Sequence, residues 1–448
     1  MTNFEDTIIA PATPPGVSAL AVVRVSGKDA IPTVNACFTK DIHHADGYTI
    51  HYGHIMDGSQ KVDEVLVSIF KNPHSYTGED AVEISGHGSS YIVKRIIETI
   101  LKHGARMAQP GEFTLRAFLN KKLDLTQAEA VADMISSTSE ASLQMALHQM
   151  RGGFSNDIGL LRQELIDFAA LIELENDFGE EDVEFADRFK LQQLIDSLLQ
   201  QIEKLRSSFA AGNVLKHGIH TVIAGKPNAG KSTLLNALLN EERAIVSDIA
   251  GTTRDTIEEI FTLNGIQFRL IDTAGLRESN DKIEQIGVNK ALENIQKATL
   301  LIYLFDLQTT RPEELETELQ QLPDSQHTII LANKSDEMGY KASDWPENTL
   351  FIAAKTKSIT PLLNELNRIA NQYEFGNETI VNNARHADAL AKSSDILQKI
   401  NQGIDEGTSS DLIALDIRNA LYQLGLITGE VTNDEVLDSI FTRFCIGK

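Results

Sequence analysis

Apolar positions along the chain change their period several times, and each change predicts a different kind of structure. In residues 1–120, runs such as Ala19-Leu20-Ala21-Val22-Val23 and Val65-Leu66-Val67-Ser68-Ile69-Phe70 read as strands, with one helical stretch near Tyr91–Leu101. This part predicts an α+β domain. From Thr126 to Arg206 the apolar residues recur at helical spacing: Ile158, Leu161, Leu165, Phe168 and Ile172, then Leu191, Leu194, Leu198, Ile202 and Leu205. A segment near Gly179–Asp187 breaks these helices. Strand-length runs then follow at Thr221–Ala224, Phe268–Ile271, Leu300–Phe305, Thr328–Ala332 and Leu350–Ala354, with an amphipathic helix at Thr233–Leu239. Helical spacing resumes at Asn382, where Leu412, Leu415, Leu421 and Leu424 predict one buried face. Thr432-Asn433-Asp434-Glu435 is a capping box before a final helix, Val436–Phe444. The expected order is an α+β domain at 1–120, a helical segment at 121–215, an α/β domain at 216–375 and a second helical segment at 376–448. The two helical segments predict one helical domain into which the α/β domain is inserted. No internal repeat is visible.

The α/β segment carries the most informative string. Gly225-Lys226-Pro227-Asn228-Ala229-Gly230-Lys231-Ser232 spells GxxxxGK[ST] between a strand and a helix that opens at Thr233. Its glycines let backbone N–H groups wrap a polyphosphate at a helix N-terminus, where the dipole favours negative charge. Lys231 would reach the β- and γ-phosphates, and the Ser232 hydroxyl would ligate Mg²⁺. Alone, the string is also compatible with a plain glycine turn. Three further stretches change the balance. Phe268–Gly275 is a strand ending in D-x-x-G, made by Asp272-Thr273-Ala274-Gly275. Asp272 would hold Mg²⁺ through water, and the Gly275 N–H would meet the γ-phosphate. Thr328–Asp336 ends in N-K-x-D, with Asn333, Lys334 and Asp336. The Asp336 carboxylate can accept both N1–H and N2–H of guanine, donors that adenine lacks in that arrangement, which argues for GTP over ATP. Ala353-Ala354-Lys355 ends a last strand and could cover the base edge. All four motifs stand at strand C-terminal ends, where α/β sheets bind ligands.

Between the first two motifs lies the polar loop Ser247-Asp248-Ile249-Ala250-Gly251-Thr252-Thr253-Arg254-Asp255, with threonines available to Mg²⁺. In many small GTPases a glutamine follows D-x-x-G and orients the attacking water. Here Leu276 stands there and cannot hydrogen-bond. Hydrolysis then needs a substitute group, or it stays in the slow intrinsic regime of about 10⁻⁴ s⁻¹. Glu284, farther along the same segment, is one candidate, and a solvated charge on a helix beginning near Asp281 is the alternative. A monovalent cation at the P-loop, held in part by the Asn228 carbonyl oxygen, is another. Lys231, Asn228 and Glu284 are the catalytic candidates.

Strings outside the nucleotide motifs make the chain resemble the tRNA modification GTPase family (MnmE, also called TrmE) over nearly its whole length. They are Asp6-Thr7-Ile8, Ala12-Thr13-Pro14-Pro15-Gly16, Val23-Arg24-Val25-Ser26-Gly27, Ser75-Tyr76-Thr77-Gly78-Glu79-Asp80 and His87-Gly88. Pro110-Gly111-Glu112-Phe113-Thr114, Ala117-Phe118-Leu119-Asn120 with Leu123-Asp124-Leu125, and the terminal Phe444-Cys445-Ile446-Gly447-Lys448 complete the set. The resemblance implies a hydrophobic residue after D-x-x-G and hydrolysis stimulated by K⁺ as the G domains of a homodimer meet. Asn228, Ser247, Ile249 and Thr252 would then contact K⁺, Ser232 and Thr253 would ligate Mg²⁺, and Glu284 would position the water. It implies that the N-terminal domain binds a reduced folate (5-formyl- or methylene-tetrahydrofolate) through Arg24, Glu83, Lys122 and Lys448. Cations there suit the glutamate carboxylates, and a carboxylate suits the pterin donors; a structural ion pair or a snorkelling side chain is the competing reading. A departure from the family pattern is Val17-Ser18-Ala19-Leu20-Ala21, which lacks the family's glycines. The implied partner is an FAD-bearing protein of the MnmG/GidA type. With it, an aminomethyl or carboxymethylaminomethyl group would be placed on carbon 5 of the wobble uridine of certain tRNAs.

Charge limits how RNA could be held. The chain has 448 residues and a formal net charge of −24, and eleven acidic residues against one arginine fall between Asp157 and Asp187. Backbone phosphates are bound largely by Lys and Arg, so a basic partner or a local patch must supply much of any grip on tRNA. The acidic run also reads as a solvated helix face. Cys37 and Cys445 are the only cysteines, which fits a reducing, cytoplasmic setting. A small buried hydrophobe is the default expectation for Cys445, with a reactive thiol as the alternative. His87-Gly88 reads as a turn rather than a catalytic base. No signal peptide or membrane-spanning run is expected. The rival function is a ribosome-assembly GTPase switch, which would share Asn228 and Leu276 but carry a basic RNA-binding module.

Overall fold

The computed structural model describes residues 5–177, 188–240, 245–246, 259–271, 295–296, 298–323, 327–337, 339, 341–373, 379–432 and 434–447. These divide into two compact units. One comprises Met1–Ala132, Gln149–Leu199 and Lys392–Lys448; the other comprises Asp133–His148 and Gln200–Ala391.

The first unit opens with β1 (Ile8–Pro11), β2 (Ser18–Ser26), α1 (Ala30–Asn35), β3 (Thr49–Asp57), β4 (Gln60–Phe70), β5 (Ala81–Gly88), α2 (Ser90–Leu101), β6 (Arg106–Met107) and α3 (Glu112–Leu119). The strands form one sheet in the order β3-β4-β5-β2-β1-β6. Alternation decides its faces. Val23, Val25, Val65, Val67, Ile69, Val82 and Ile84 are buried on one side with Ile31, Val34, Ile96 and Ile100 of α1 and α2. On the other side Leu20, Ile50, Tyr52 and Leu66 are exposed. His87, which the sequence predicted in a turn, lies within β5. Its N–H and its Nδ1 both reach the buried Asp63 carboxylate at 2.8 Å. That side-chain acceptor extends the strand where the ladder with β4 ends.

Helices follow: α4 (Leu125–Ser136), α5 (Glu140–Met150), α6 (Gly153–Asp177), α7 (Arg188–Ser207) and α8 (Phe209–His217). The break expected near Gly179–Asp187 lies outside the described residues up to 187. Ile158, Leu161, Leu165, Phe168 and Ile172 are buried as their spacing predicts, and so are Leu191, Leu198, Ile202 and Leu205 of α7, where Ile195 is buried in place of the partly covered Leu194. After the α/β unit come α12 (Ala384–Asp405), α13 (Ser410–Thr428) and α14 (Asp434–Phe441), once α9 to α11 below are counted. The face expected on α13 is corrected at Leu412 and Leu415, whereas Leu424 is buried as expected. Leu412 and Leu415 are exposed, and Ile413, Ala414, Ile417, Ala420, Leu424 and Ile427 are buried. Close approach of α6 is the reason. Arg162 donates to the Leu421 carbonyl, and a Cβ on Gly425 would lie 2.8 Å from its Nη1, so α6 packs on the side of α13 that carries Gly425. The last helix starts at Asp434 and stops at Phe441, where the rings of Phe441 and Phe444 pack 5.4 Å apart. Asn433 of the capping box is outside the described residues.

The second unit is built on β7 (Ile219–Ala224), α9 (Lys231–Leu239), β8 (Ile245–Val246), β9 (Glu259–Leu263), β10 (Ile266–Leu270), β11 (Leu300–Asp306), α10 (Pro312–Gln320), β12 (His327–Asn333), β13 (Thr349–Phe351) and α11 (Thr360–Asn371). The sheet order is β13-β12-β11-β7-β10-β9-β8. β10, β7, β11, β12 and β13 are parallel neighbours, and β9 runs antiparallel to both β10 and β8. Every residue of β11 is buried, as a strand covered on both faces requires. Register sets Tyr303 opposite Ala224 and Asp306 opposite Asn333, so β7, β11 and β12 end along one edge. The fold is multidomain α/β with a P-loop GTPase sheet of the Ras type, as the motif order predicts.

The first unit rests on a buried guanidinium. Arg116, 1% exposed, meets Asp6 at 2.6 Å, Glu112 at 3.0 Å and Glu79 at 3.1 Å, while Arg106 meets Glu112 at 2.8 Å. Burial opposes ionisation of Asp6 and Glu112, but hydrogen bonds from Arg106 and Arg116 outweigh it and hold both carboxyls below the usual range. Both native pKa values therefore lie below the unfolded ones. The contribution is complete above the ordinary carboxyl range near pH ~4 and is lost as pH falls through the lowered native values. Arg116→Met is expected to cost about 3–5 kcal/mol at neutral pH, because it removes the buried cation that Asp6, Glu79 and Glu112 share and leaves Asp6 and Glu112 with Arg106 alone. The deficit should shrink on acidification. Amide exchange in β1 and α3 across a pH series checks this, and a pH-independent deficit would contradict it.

Candidate functional site

The phosphate-binding loop follows from two steric demands. β7 ends at Ala224, and Gly225 turns with φ +143°; a Cβ there would lie 1.9 Å from the Leu304 carbonyl oxygen of β11. Gly230, φ +101°, caps α9, and a Cβ on it would lie 2.2 Å from Asn333 Nδ2. Only glycine lets the loop pass this close to β11 and β12. Asn228 adopts φ 66° and is exposed, as are Ser232 and Thr233 on the first turn of α9, while Ala229 is buried. Lys231 folds back, its Nζ donating to the Gly225 carbonyl at 2.6 Å and the Lys226 carbonyl at 2.9 Å. Burial lowers its pKa. The carbonyl oxygens serve as acceptors that phosphate oxygens can replace.

The base side is tied to the same loop. Asn333, 3% exposed, donates from Nδ2 to the Ala229 carbonyl at 2.8 Å, and its Oδ1 accepts the Ala354 N–H at 3.1 Å. One amide thus joins the P-loop to the loop after β13, where Ala353 and Ala354 are buried and Lys355 is exposed. Lys334, φ 65°, donates to Asp306 Oδ2 at 2.6 Å. Asp306 was not foreseen; an acidic residue closing the apolar run Leu300–Phe305 was the signal for it. Asp336 is exposed and accepts a 3.3 Å hydrogen bond from Thr356 Oγ1. Ser247–Asp255, Asp272–Gly275, Leu276, Glu284 and Lys448 lie outside the described residues.

In the N-terminal sheet, Arg24 and Glu83 face each other across β2 and β5. Arg24 donates from Nε at 2.9 Å and Nη2 at 2.8 Å to one Glu83 oxygen, so the ion-pair geometry of the competing reading is present. The guanidinium also lies over the rings of Tyr76, at 5.2 Å, and Phe113, at 5.8 Å. Lys122 reaches the Pro73 carbonyl at 3.0 Å, at the start of the loop that carries Tyr76. Cys37 is buried, and burial pushes its thiol up to about 11. Cys445 is exposed, which corrects the expectation of a buried side chain.

The geometry makes Asn333 the joint of the nucleotide site. Asn333→Ala is expected to weaken GDP binding by about tenfold or more, since it removes two buried hydrogen bonds and orphans the Ala354 N–H. Fluorescent-GDP titration measures this, and an unchanged Kd would refute the joint.

Comparison with known proteins agrees over the full length. Residues 7–122 match the family described as GTP-binding protein TrmE N-terminus, and residues 125–445 match the MnmE helical domain. The chain is 53% identical to the tRNA modification GTPase MnmE of Flavobacterium johnsoniae, with 99% of each chain covered. It is 50% identical to that of Flavobacterium psychrophilum, covering 99% of this chain and 100% of the other. For Cytophaga hutchinsonii the identity is 49%, over 100% and 99%. Phosphate loop, guanine-side loop and flanking domains thus agree on one assignment: the chain belongs to the tRNA modification GTPase MnmE family.

Proposed function

We propose that this GTP hydrolase of tRNA modification works as a K⁺-stimulated homodimer in the cytoplasm. With an FAD-bearing partner of the MnmG/GidA type, it places an aminomethyl or carboxymethylaminomethyl group on carbon 5 of the wobble uridine. In this reading a GTPase domain at 216–375 is inserted in a helical domain made of 121–215 and 376–448, after a folate-binding domain at 1–120. The observation that supports it most is a P-loop and guanine-side loop joined by Asn333, in a chain with full-length MnmE relatives. Those relatives are named for tRNA modification, which favours this reading over a ribosome-assembly switch.

Lys231 leaves the Gly225 and Lys226 carbonyls for the β- and γ-phosphates, and Asp336 selects guanine through its two ring-edge donors. Asp272 and Gly275 sense the γ-phosphate, and Glu284 orients the water in place of the glutamine that Leu276 replaces. Ser232 and Thr253 are the Mg²⁺ residues; Asn228, Ser247, Ile249 and Thr252 are the K⁺ residues. Exposed hydroxyl and amide oxygens at Ser232 and Asn228 are hard donors that suit such cations. The bound cations would neutralise charge that develops on the phosphate oxygens. Arg24, Glu83, Lys122 and Lys448 form the folate set. Arg24 and Glu83 are already juxtaposed, so a folate would exchange their mutual hydrogen bonds for its own.

Turnover should rise steeply in KCl, within the ~10³–10⁵ range that an added positive group supplies; equal rates in KCl and NaCl would refute the cation assignment. Glu284→Ala should keep GTP affinity and lose hydrolysis. Asp336→Asn should exchange guanine for xanthine, because an amide offers one donor and one acceptor where the carboxylate offers two acceptors; a variant that still prefers GTP would remove Asp336 from selection. Nucleoside analysis of tRNA from a deletion strain tests the whole reading, and intact wobble modification would overturn it. Calorimetry with 5-formyl-tetrahydrofolate should show binding that Arg24→Ala abolishes.

A further inference from the structure

Lys226, the second residue of the P-loop, has its side chain engaged behind the loop. Its Nζ pairs with Glu318 and, at 3.7 Å, with Glu314, both on α10. Glu318 in turn accepts the hydroxyl of Tyr303, a buried residue of β11. Burial and this hydrogen bond both push the Tyr303 pKa up, which keeps the hydroxyl protonated as a donor. The next residue of β11 is Leu304, whose carbonyl lies where a Cβ on Gly225 would fall. Consecutive residues of one fully buried strand therefore back consecutive residues of the loop: Leu304 through sterics at Gly225, and Tyr303 through Glu318 at Lys226. The same two loop residues offer the carbonyls that hold Lys231.

We propose that Lys226, held by Glu318 and Tyr303, is a positioning residue that presets the P-loop backbone for the nucleotide phosphates. Its charge is engaged on α10, so Lys231 acts as the loop's cation toward phosphate, and Lys226 contributes through placement. A loop fixed before binding loses less freedom when the phosphates arrive. Lys226 is 52% exposed and Glu318 22%, so the effect is modest, about two- to five-fold in nucleotide affinity.

The test follows release of fluorescent GDP from the full chain by stopped flow. Lys226→Met and Glu318→Gln should each speed release by about two- to five-fold, and the double variant should do no more than the larger single one. Lys226→Arg should restore the wild-type rate, and Tyr303→Phe should act in the same direction as Glu318→Gln. A simple field effect predicts the opposite pattern, since losing a cation weakens and losing an anion strengthens phosphate binding. Opposite signs for the two single variants, additive effects in the double, or no change in either would overturn the proposal. Failure of wild type to bind GDP would instead overturn the GTPase reading on which it rests.

Discussion

The side-chain amide of Asn333 connects segments that lie 104 and 21 residues away from it in sequence. An amide carries its donor and its acceptor on separate atoms, so it can donate to the P-loop carbonyl and accept from the Ala354 N–H at once. At 3% exposure it is buried, so loss of either partner would leave a buried polar group unpaired. Much of the nucleotide site depends on that joint. Gly230 is required because a Cβ there would strike the amide, and α9 starts directly after it. The parallel register of β7, β11 and β12 brings these groups to one edge. Strand pairing thus sets position, and one amide sets the distance between the phosphate and base sides.

A comparable logic governs the first unit, with charge in place of a neutral amide. Asp6, Glu79 and Glu112 come from three separate strings, and Arg116 gathers them. Ser26 joins the same cluster by sharing hydrogen bonds with Thr77 and Glu79, and Asn120 holds the Thr77 carbonyl. The strings by which the chain resembles its family therefore converge in space on a buried polar network. Such a network is costly unless every member is satisfied. Arg24 and Glu83 stand beside it on the open side of the sheet, aligned by the β2–β5 register and covered by Tyr76 and Phe113.

Much of this was legible in sequence because it is local. Glycine spacing, strand-length apolar runs and the order of four short motifs need only neighbouring residues to be recognised, and they led to the P-loop sheet and its nucleotide. The α2 and β4 segments were legible for the same reason, since their periods of 3.6 and 2 report one covered face. Phase was less legible than period. On α13 the leucines drew the expected face to Leu412 and Leu415, whereas the packed side is built from Ile413, Ala414, Ile417 and Ala420. Which stripe of α13 meets α6 is set by the contacts at Leu421 and Gly425, which hydrophobicity alone does not express.

By itself, then, the chain's order of residues determined the fold class, the family and the GTPase assignment. Tertiary structure alone decided which distant groups meet: Asn333 with Ala229, Lys334 with Asp306, His87 with Asp63, and Arg24 with Glu83. The physical reason lies in range. Backbone preference and hydrophobic period act over a few residues, but a buried donor is satisfied by whichever acceptor the packed strands place within about 3 Å of it.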